Sequence, residues 1–376
     1  MLNLQSCSFR CRILCVLFSF LLFLSFCLAM TSCGKDSPGV TVQLWASEDD
    51  PLYPLLVSAI GDYNRQLHTG DLLAVSIRSF SNEEKMISAL SSGSPDLVLC
   101  SHYRQDALEQ MDRFVDIAPA SNLQDCFFSE DITARFSACG HSFFPVGSDT
   151  LLLLFSDSAF SSNPGFSVSS LFSSARTYSS ESGRPYFTAD SFSMLFCQLL
   201  LSEKQEFHAS LSSDLRSTVF PSIWNDIAEL AYEGALVSAS ANGAALVRAG
   251  VLPCSVISSQ TAAGTTSDRI AAFPGTESAH VSECHGIVSL CHPSRMRSAG
   301  AFLHWLFDAD RSVILAVQAG LIPAVDGAYP GNSFLEQLLV SLGEKSSGFF
   351  PSLSSDYYKN SRSFESYFRC IVSYLY

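Results

Sequence analysis

Two Cys-His pairs in the second half of the chain have the residue types that bind zinc. The pairs are Cys284-His285 and Cys291-His292, and the apolar pattern of residues 286–290 predicts a β-strand between them. Seven residues of extended chain span about 23 Å, since each adds about 3.3 Å. Zinc holds its ligands at about 2.0–2.3 Å, so one ion cannot join the pairs. We therefore predict no metal site.

A second set of residues occurs in the order of a hydrolase motif. Gly140-His141-Ser142 has the start of a nucleophile elbow, but Phe144 stands where the closing glycine belongs, and no strand–turn–helix pattern surrounds it. A phosphate-binding Gly-Lys-Ser/Thr motif does not occur in the sequence. These features argue against an enzyme, and no cofactor is predicted.

Carboxylates follow the first predicted strand, residues 40–45. Glu48 and Asp49 come directly after it, and ligands of open α/β sheets bind at the carboxyl ends of strands. A carboxylate accepts hydrogen bonds from two donors at once, and such charged bonds contribute about 1.5–3 kcal/mol each. The alternative is that Glu48, Asp49 and Asp50 only cap the helix that follows, whose positive end favours acids.

Strand and helix patterns alternate through the first part of the chain. Helical spacing over residues 52–68 follows the first strand, and Ser81 or Asn82 can cap a further helix that ends at Leu90. This alternation predicts a parallel α/β sheet. After a strand over residues 151–155 the chain becomes Ser-rich and helical. Strands return at residues 270–273 and 286–290, so we expect the chain to leave the first lobe near Pro145 and re-enter it near Ile270.

The N-terminus has the pattern of a secretory signal. Arg10 and Arg12 precede a 17-residue apolar run that ends at Met30-Thr31-Ser32-Cys33. These four residues resemble a lipobox, with Met30 in the place of the usual leucine. We predict cleavage before Cys33 and lipidation of that cysteine; the alternative is an uncleaved membrane anchor. Two or more acyl chains would make the membrane attachment effectively permanent.

The charge and length of the mature chain limit its partners and organisation. Without residues 1–32 the chain keeps 20 of its 22 Lys and Arg against 36 Asp and Glu, a net charge of −16. Nucleic acid is therefore excluded as a partner. The 344 remaining residues exceed one ordinary core and predict two lobes. An exported chain permits disulfides, and Cys126 with Cys139 is the pairing to test first.

Several stretches, in order along the mature chain, are similar to the extracellular solute-binding proteins of ABC importers, the large family with maltodextrin- and other sugar-binding members. They are Val42-Gln43-Leu44-Trp45, Ser92-Gly93-Ser94-Pro95-Asp96-Leu97-Val98, Pro145-Val146-Gly147-Ser148-Asp149-Thr150, Phe273-Pro274-Gly275, Ala301-Phe302-Leu303-His304-Trp305-Leu306 and Ala319-Gly320-Leu321-Ile322-Pro323-Ala324. The resemblance implies a type II-like periplasmic-binding-protein fold, in which two α/β lobes joined by hinge strands close over a ligand. It divides the chain into a signal peptide (1–32), a lipidated tether (33–39), an N-terminal lobe (40–147 with 270–322) and a C-terminal lobe (148–269 with 323–376).

The resemblance also implies which residues bind the ligand in the first lobe and at the hinge. Acidic and polar side chains of the loop that holds Glu48 and Asp49 bind sugar hydroxyls in maltodextrin-binding members. His102 and Tyr103 lie in a loop that donates further polar contacts, with Tyr103 in place of the family's acid; the alternative is a solvated helix start. Asp149 resembles an acidic ligand contact, and the alternative is a carboxylate satisfied by backbone N–H groups.

In the second lobe the resemblance points to three more residues. Arg184-Pro185-Tyr186-Phe187-Thr188 is similar to a segment whose tyrosine packs on sugar rings, and a buried core tyrosine is the alternative reading of Tyr186. Arg184 replaces an acid there. Gln260 lies where the family commonly has a stacking tryptophan. Fewer aromatic platforms favour a small solute over a long oligosaccharide.

We expect a monomeric, lipid-anchored receptor without catalysis that binds a small solute, most simply a carbohydrate, and delivers it to the transmembrane subunits of an ABC permease. The alternative is a surface interaction lipoprotein that keeps the fold but has lost transport. Both readings place the protein outside the cytoplasm, on a membrane.

Mass spectrometry of the native N-terminus tests the lipoprotein prediction. The wild-type chain should begin at an acylated Cys33, because the lipobox directs cleavage before that residue. A Cys33→Ala chain should keep residues 1–32. A wild-type chain that retains the apolar run would refute the prediction in favour of the uncleaved anchor.

Overall fold

The structure is a computed structural model, and the residues it describes are 41–67, 74–101, 115, 117, 143–156, 159, 167–203, 219–238, 242–263, 269–275, 284–325, 329, 331 and 333–345. Val42–Gln66 and Val75–Tyr376 belong to one compact unit, which holds every element described below. The other unit is formed by Met1–Thr41 and Leu67–Ala74 and contributes three described residues, none of them in a helix or strand.

The first elements follow the predicted alternation. They are β1 (Val42–Ser47), α1 (Tyr53–Gln66), β2 (Val75–Phe80), α2 (Glu83–Leu90) and β3 (Leu97–Ser101). One face of α1 is buried through Leu56, Ala59, Ile60 and Tyr63, the spacing of a helix with one apolar side. The predicted cap of α2 is confirmed for Asn82, whose side chain accepts the backbone N–H of Lys85 at 2.9 Å.

A six-stranded sheet contains these strands together with β4 (Phe143–Ser148), β9 (Cys284–Ser289) and β10 (Ile322–Pro323). The strand order is β10-β4-β9-β3-β1-β2. β1 pairs parallel with β2 and β3, whereas β9 pairs antiparallel with both β3 and β4. The sheet is therefore mixed, which corrects the expectation of a purely parallel one. The register of β4 with β9 shifts between Pro145 and Gly147.

A four-stranded sheet has the order β6-β7-β5-β8. Its strands are β5 (Leu151–Phe155), β6 (Phe187–Ala189), β7 (Cys254–Ser258) and β8 (Ile270–Ala272). β6 runs parallel to β7, and β5 is antiparallel to β7 and β8. β6 and β7 were not predicted from the sequence. Because β8 pairs with β5, the chain has not yet returned to the first sheet at Ile270; β9 is the strand that returns. The division of the chain into two lobes stays a prediction.

Helices fill the remaining described segments and cover both sheets. They are α3 (Val168–Ser182), α4 (Phe192–Glu203), α5 (Val219–Tyr232), α6 (Gly243–Arg248), α7 (Ser259–Ala263), α8 (Met296–Leu306), α9 (Ala309–Gln318) and α10 (Phe334–Lys345), with a 3-10 turn at Pro293–Arg295. The predicted α/β class is confirmed, with helices flanking two sheets.

Three apolar clusters can be described among the buried residues of the described ranges. One packs α2 on the six-stranded sheet around Trp45 and Val98. A second packs α3, α4 and α5 on one face of the four-stranded sheet, around Leu153 and Phe187. The third covers the opposite face with α6, α9 and α10, and it includes Val317 of α9. Both faces of the four-stranded sheet are buried, as the uninterrupted run Leu151–Phe155 indicates.

The edge strand β2 is largely polar on its outer positions. Ser76, Arg78 and Ser79 are exposed. The Arg78 guanidinium lies 4.8 Å from the centre of the Trp45 ring and 5.0 Å from that of Phe80. A cation–π contact of this kind keeps a long side chain against the sheet while its charge faces water.

Candidate ligand site at the junction of the sheets

The ends of several strands meet at one edge of the six-stranded sheet. β1 and β3 are parallel, so Ser47 and Ser101 end at the same edge. β9 begins there, because Ser101 stands opposite His285 in the antiparallel pair. β4 also ends there, and from Ser148 the chain passes directly into β5 of the second sheet. We call this place, formed by Asp50, Ser101, Asp149, Gln260 and His285, the junction.

A chain of polar side chains crosses the junction from one sheet to the other. The His285 Nδ1 is 3.0 Å from the Oδ2 of Asp50, which follows β1. The His285 Nε2 is 3.2 Å from the Nε2 of Gln260, which lies in α7 directly after β7 of the second sheet. His285 is 5% exposed and Asp50 9% exposed. Buried polar groups destabilise the folded state when they lack partners, so these contacts favour keeping the two sheets together at this point.

Asp149 connects the same elements through its carboxylate. Its Oδ1 accepts from the Oγ of Ser259 at 2.6 Å, from the Ser259 N–H at 2.9 Å and from the Gln260 N–H at 3.4 Å. It also accepts the N–H of Thr150 at 2.8 Å. Asp149 is 5% exposed. These bonds agree with the alternative considered for Asp149, a carboxylate satisfied by backbone N–H groups. They also fix the start of α7, which carries Gln260.

Three hydroxyls near the junction are buried without a hydrogen-bond partner among the described residues. They belong to Ser101, Ser148 and Thr150. Ser101 lies opposite His285 in the β3–β9 pair, so both side chains are on the same face of the sheet. A buried hydroxyl without a partner costs about 1–3 kcal/mol, so such groups commonly mark places where water or a ligand supplies the bond.

A glycine permits the close contact between α7 and the turn that ends α9. Gly320 has φ +75, which favours glycine, and a Cβ there would lie 2.6 Å from the Ser259 carbonyl oxygen. The same atom would lie 3.1 Å from the Gln260 Cα. The backbone of α7 therefore rests directly on this turn, which leads into β10.

Negative charge surrounds the junction. Burial raises the pKa of the Cys100 thiol, and the nearby carboxylates of Glu83 and Asp50 raise it further. Glu83, at the start of α2, accepts the N–H of Ser101 at 3.2 Å. Cys100 is therefore a neutral, unreactive thiol, and the described edge is rich in hydrogen-bond acceptors.

The structure places Glu48 and Asp49 at the junction edge with exposed side chains. Their backbones are fixed: the N–H of Glu48 donates to Phe80 O at 2.8 Å, and that of Asp49 donates to Ser47 Oγ at 3.3 Å. Asp50, rather than these two, binds the turn before α1, because its Oδ1 accepts the N–H of Leu52 at 2.9 Å. Both predicted acids thus remain accessible to a ligand. His102 and Tyr103 lie outside the described residues.

Tyr186 and Arg184 lie away from the junction. The Tyr186 carbonyl accepts the N–H of Cys254, the first residue of β7, whereas Gln260 follows the opposite end of that strand. Tyr186 is 7% exposed and packs within the core cluster of α3, α4 and α5. This burial, with smaller effects from Cys254 and Tyr178, raises the pKa of Tyr186 to about 12. Little of the ring is free to stack on a sugar, and Arg184 is exposed.

Trp45 of β1 is a further buried aromatic residue. It is 2% exposed and packs on Phe80 and the α2 cluster. Its Nε1 donates to Gln43 Oε1 at 3.0 Å. Trp45 is therefore a core residue.

No group of three or more metal-binding side chains occurs within the described part of the chain. Cys100, Cys254, Cys284 and Cys291 are buried and not in disulfides, while Cys126 and Cys139 lie outside the described residues. Within the same described ranges, no helix is long and apolar enough to cross a membrane.

Asp50 and His285 were not predicted from the sequence as parts of the junction. Asp50 was considered only as a helix cap, and His285 only as part of a false metal pattern. The position of each residue in the sequence could have indicated its role. Asp50 is the third acid after β1, and His285 lies at the start of β9, which pairs with β3 at the carboxyl end of that strand. Pairing β3 with β9 requires knowledge of the fold, which the pattern of one segment does not contain.

The fold defined by these sheets is that of the two-lobed solute-binding proteins. The cyclic α-maltosyl-1,6-maltose binding protein of Arthrobacter globiformis is 15% identical, with a TM-score of 0.67 over 90% of this chain and 94% of that one. The galacto-N-biose/lacto-N-biose I-binding protein of Bifidobacterium longum is 14% identical, with a TM-score of 0.66 over 91% and 95%.

The same fold also serves a different kind of ligand. The spermidine/putrescine substrate-binding protein PotD of Streptococcus pneumoniae is 13% identical, with a TM-score of 0.60 over 88% of this chain and 99% of that one. No protein-family model and no curated protein sequence matches this chain. The resemblance found in the sequence is confirmed by these structures at the level of the fold.

Gly320→Ala should destabilise the protein more than Gly250→Ala does. Both glycines have positive φ, which costs an L-residue about 1–2 kcal/mol. Only Gly320 lacks room for a Cβ, and overpacking adds about 1–3 kcal/mol. Denaturant unfolding measures the difference. Equal losses of stability in the two variants would contradict the close contact between α7 and the α9 turn.

Proposed function

We propose that this protein is the lipid-anchored substrate-binding component of an ABC importer. In this proposal it captures a small polar solute at the junction and delivers it to the transmembrane subunits of the permease. The observation that carries the proposal is the polar chain from Asp50 through His285 to Gln260, because it places groups from both sheets around one point. Cys33 would hold the monomer on an extracytoplasmic membrane face.

The geometry of the junction favours binding over catalysis. Asp50 and His285 form the carboxylate–imidazole half of a hydrolytic triad. In a triad the other ring nitrogen must accept the proton of a nucleophile. Here that nitrogen contacts the amide of Gln260, which is not a nucleophile. The arrangement suits recognition through hydrogen bonds.

A small carbohydrate fits the described side chains best. Glu48 and Asp49 are accessible carboxylates, which accept from paired sugar hydroxyls. Two of the similar solved structures carry sugar-binding names. Trp45 and Tyr186 are buried, so the aromatic platforms that a long oligosaccharide would use are missing from the described junction.

Contacts of one ligand with both lobes would favour closure of the lobes over it. A solute that contacts Glu48 from one lobe and Gln260 from the other gains both contacts only when the lobes are shut, so it stabilises the closed state by its differential affinity. We assign the first lobe to the strands of the six-stranded sheet and the second to those of the four-stranded sheet, with β8 in the second.

A thermal-shift screen of the full chain in detergent tests the proposal. The panel contains maltose, D-galactose, lacto-N-biose, polyols, amino acids and spermidine. A ligand present at about 100 times its dissociation constant should stabilise the folded protein by about 2.7 kcal/mol. A sugar response supports the proposal. Stabilisation by spermidine alone would identify a polyamine instead of a carbohydrate as the ligand. No stabilisation by any compound of the panel would favour the surface interaction lipoprotein without transport.

Glu48→Ala and Asp49→Ala should each weaken binding of the responding sugar at least tenfold, which corresponds to about 1.4 kcal/mol. Each variant removes an exposed acceptor at the junction and leaves the core unchanged. Asp226→Ala is the matched control, since that acid is exposed on α5. Isothermal titration gives the affinities. Binding by both variants at wild-type strength would place the site elsewhere.

A further inference from the structure

The Asp50 and Gln260 contacts of His285 set different hydrogen-bonding roles for its two ring nitrogens. The Asp50 carboxylate accepts, so the Nδ1 that lies 3.0 Å from it carries a hydrogen. The Gln260 amide nitrogen donates, so the Nε2 that lies 3.2 Å from it offers a lone pair. Both contacts form together only when the ring is neutral with its hydrogen on Nδ1.

Asp50 is itself fixed in place. Its Oδ1 accepts the N–H of Leu52 at 2.9 Å, and its main-chain oxygen accepts the N–H of Tyr53 at 3.0 Å. This leaves Oδ2 directed at His285. The carboxylate cannot rotate away without breaking the turn that starts α1. The turn therefore fixes the orientation of the Asp50 carboxylate, and the carboxylate fixes the orientation of the imidazole.

We infer that Asp50 is a positioning residue that fixes His285 as its Nδ1–H tautomer, which makes His285 Nε2 a hydrogen-bond acceptor of the ligand site. Without ligand, the Gln260 amide supplies the donor that a bound solute would bring. The inference rests on the proposed function and names the ligand class: a neutral solute rich in hydroxyl donors, in preference to an anion.

The other polar groups of the junction have the same preference. The Ser101 hydroxyl is buried at the position opposite His285 and has no partner among the described residues, so it can pair with a solute hydroxyl. Glu48 and Asp49 add exposed carboxylates. An anionic solute would bring further acceptors and negative charge to this edge, and buried acceptors facing each other are costly.

Nitrogen-detected NMR of the full chain in detergent, labelled with 15N-histidine, reads the tautomer directly. The chain has eight histidines, and the His285 signals are those missing from a His285→Phe variant. We expect an N–H type of resonance for Nδ1 and a lone-pair type for Nε2. An imidazolium, or a ring with its hydrogen on Nε2, would overturn the inference.

Asp50→Asn tests the positioning role with little change of shape. The amide keeps an oxygen for the Leu52 N–H and presents an NH2 group to Nδ1, so the hydrogen should move to Nε2, as the NMR signals would show. Maltose binding should fall at least tenfold in both Asp50→Asn and His285→Phe. His304→Asn, an exposed histidine change on α8, should bind within twofold of wild type.

The anion arm compares maltose with maltobionate, which differs by a carboxylate at the oxidised end. We expect wild-type protein to prefer maltose at least tenfold, and equal binding would overturn the assigned ligand class. If His285→Phe fails to fold by circular dichroism, Asp50→Asn carries the test. If no sugar binds the wild type, the carbohydrate assignment in the proposed function fails, while the NMR spectrum still decides the tautomer.

Discussion

The Asp149 carboxylate is the interaction on which the arrangement of the two sheets depends. It lies where the chain passes from β4 to β5, and one of its oxygens accepts N–H and hydroxyl groups from the start of α7. A buried carboxylate needs such bonds, because desolvation would otherwise raise the free energy of the folded state by several kcal/mol. The crossing of the chain and the placement of Gln260 are therefore set by one group.

Beyond Asp149, close backbone contacts and strand register determine which residues meet at the junction. Gly320 brings the α9 turn against α7, and the register of β3 with β9 brings Ser101 opposite His285. These are exact pairings that allow polar groups of distant segments to meet. A shift of one residue in β9 would turn His285 to the other face of the sheet and remove it from Asp50.

The sequence predicted the elements better than it predicted their partners. Helix α2 with its Asn82 cap and strand β5 were found from local patterns, because capping and apolar runs are properties of one segment. β7 was missed, since Cys254–Ser258 is buried on both faces and shows no alternation. His285 was missed as a junction residue, because its contact with Asp50 joins segments more than 200 positions apart in the sequence.

The outer strand of the six-stranded sheet bears on how the protein behaves at high local density. β2 has no further strand beyond it in the described sheet, and an unpaired strand edge is a template for pairing with another chain. A lipid anchor would crowd many copies into a plane, where such pairing is favoured by concentration. The charge of Arg78, held against Trp45 and Phe80, lies on this strand and opposes the approach of a second sheet edge. On the membrane that the proposed anchor implies, the same guanidinium would keep neighbouring copies of the protein apart.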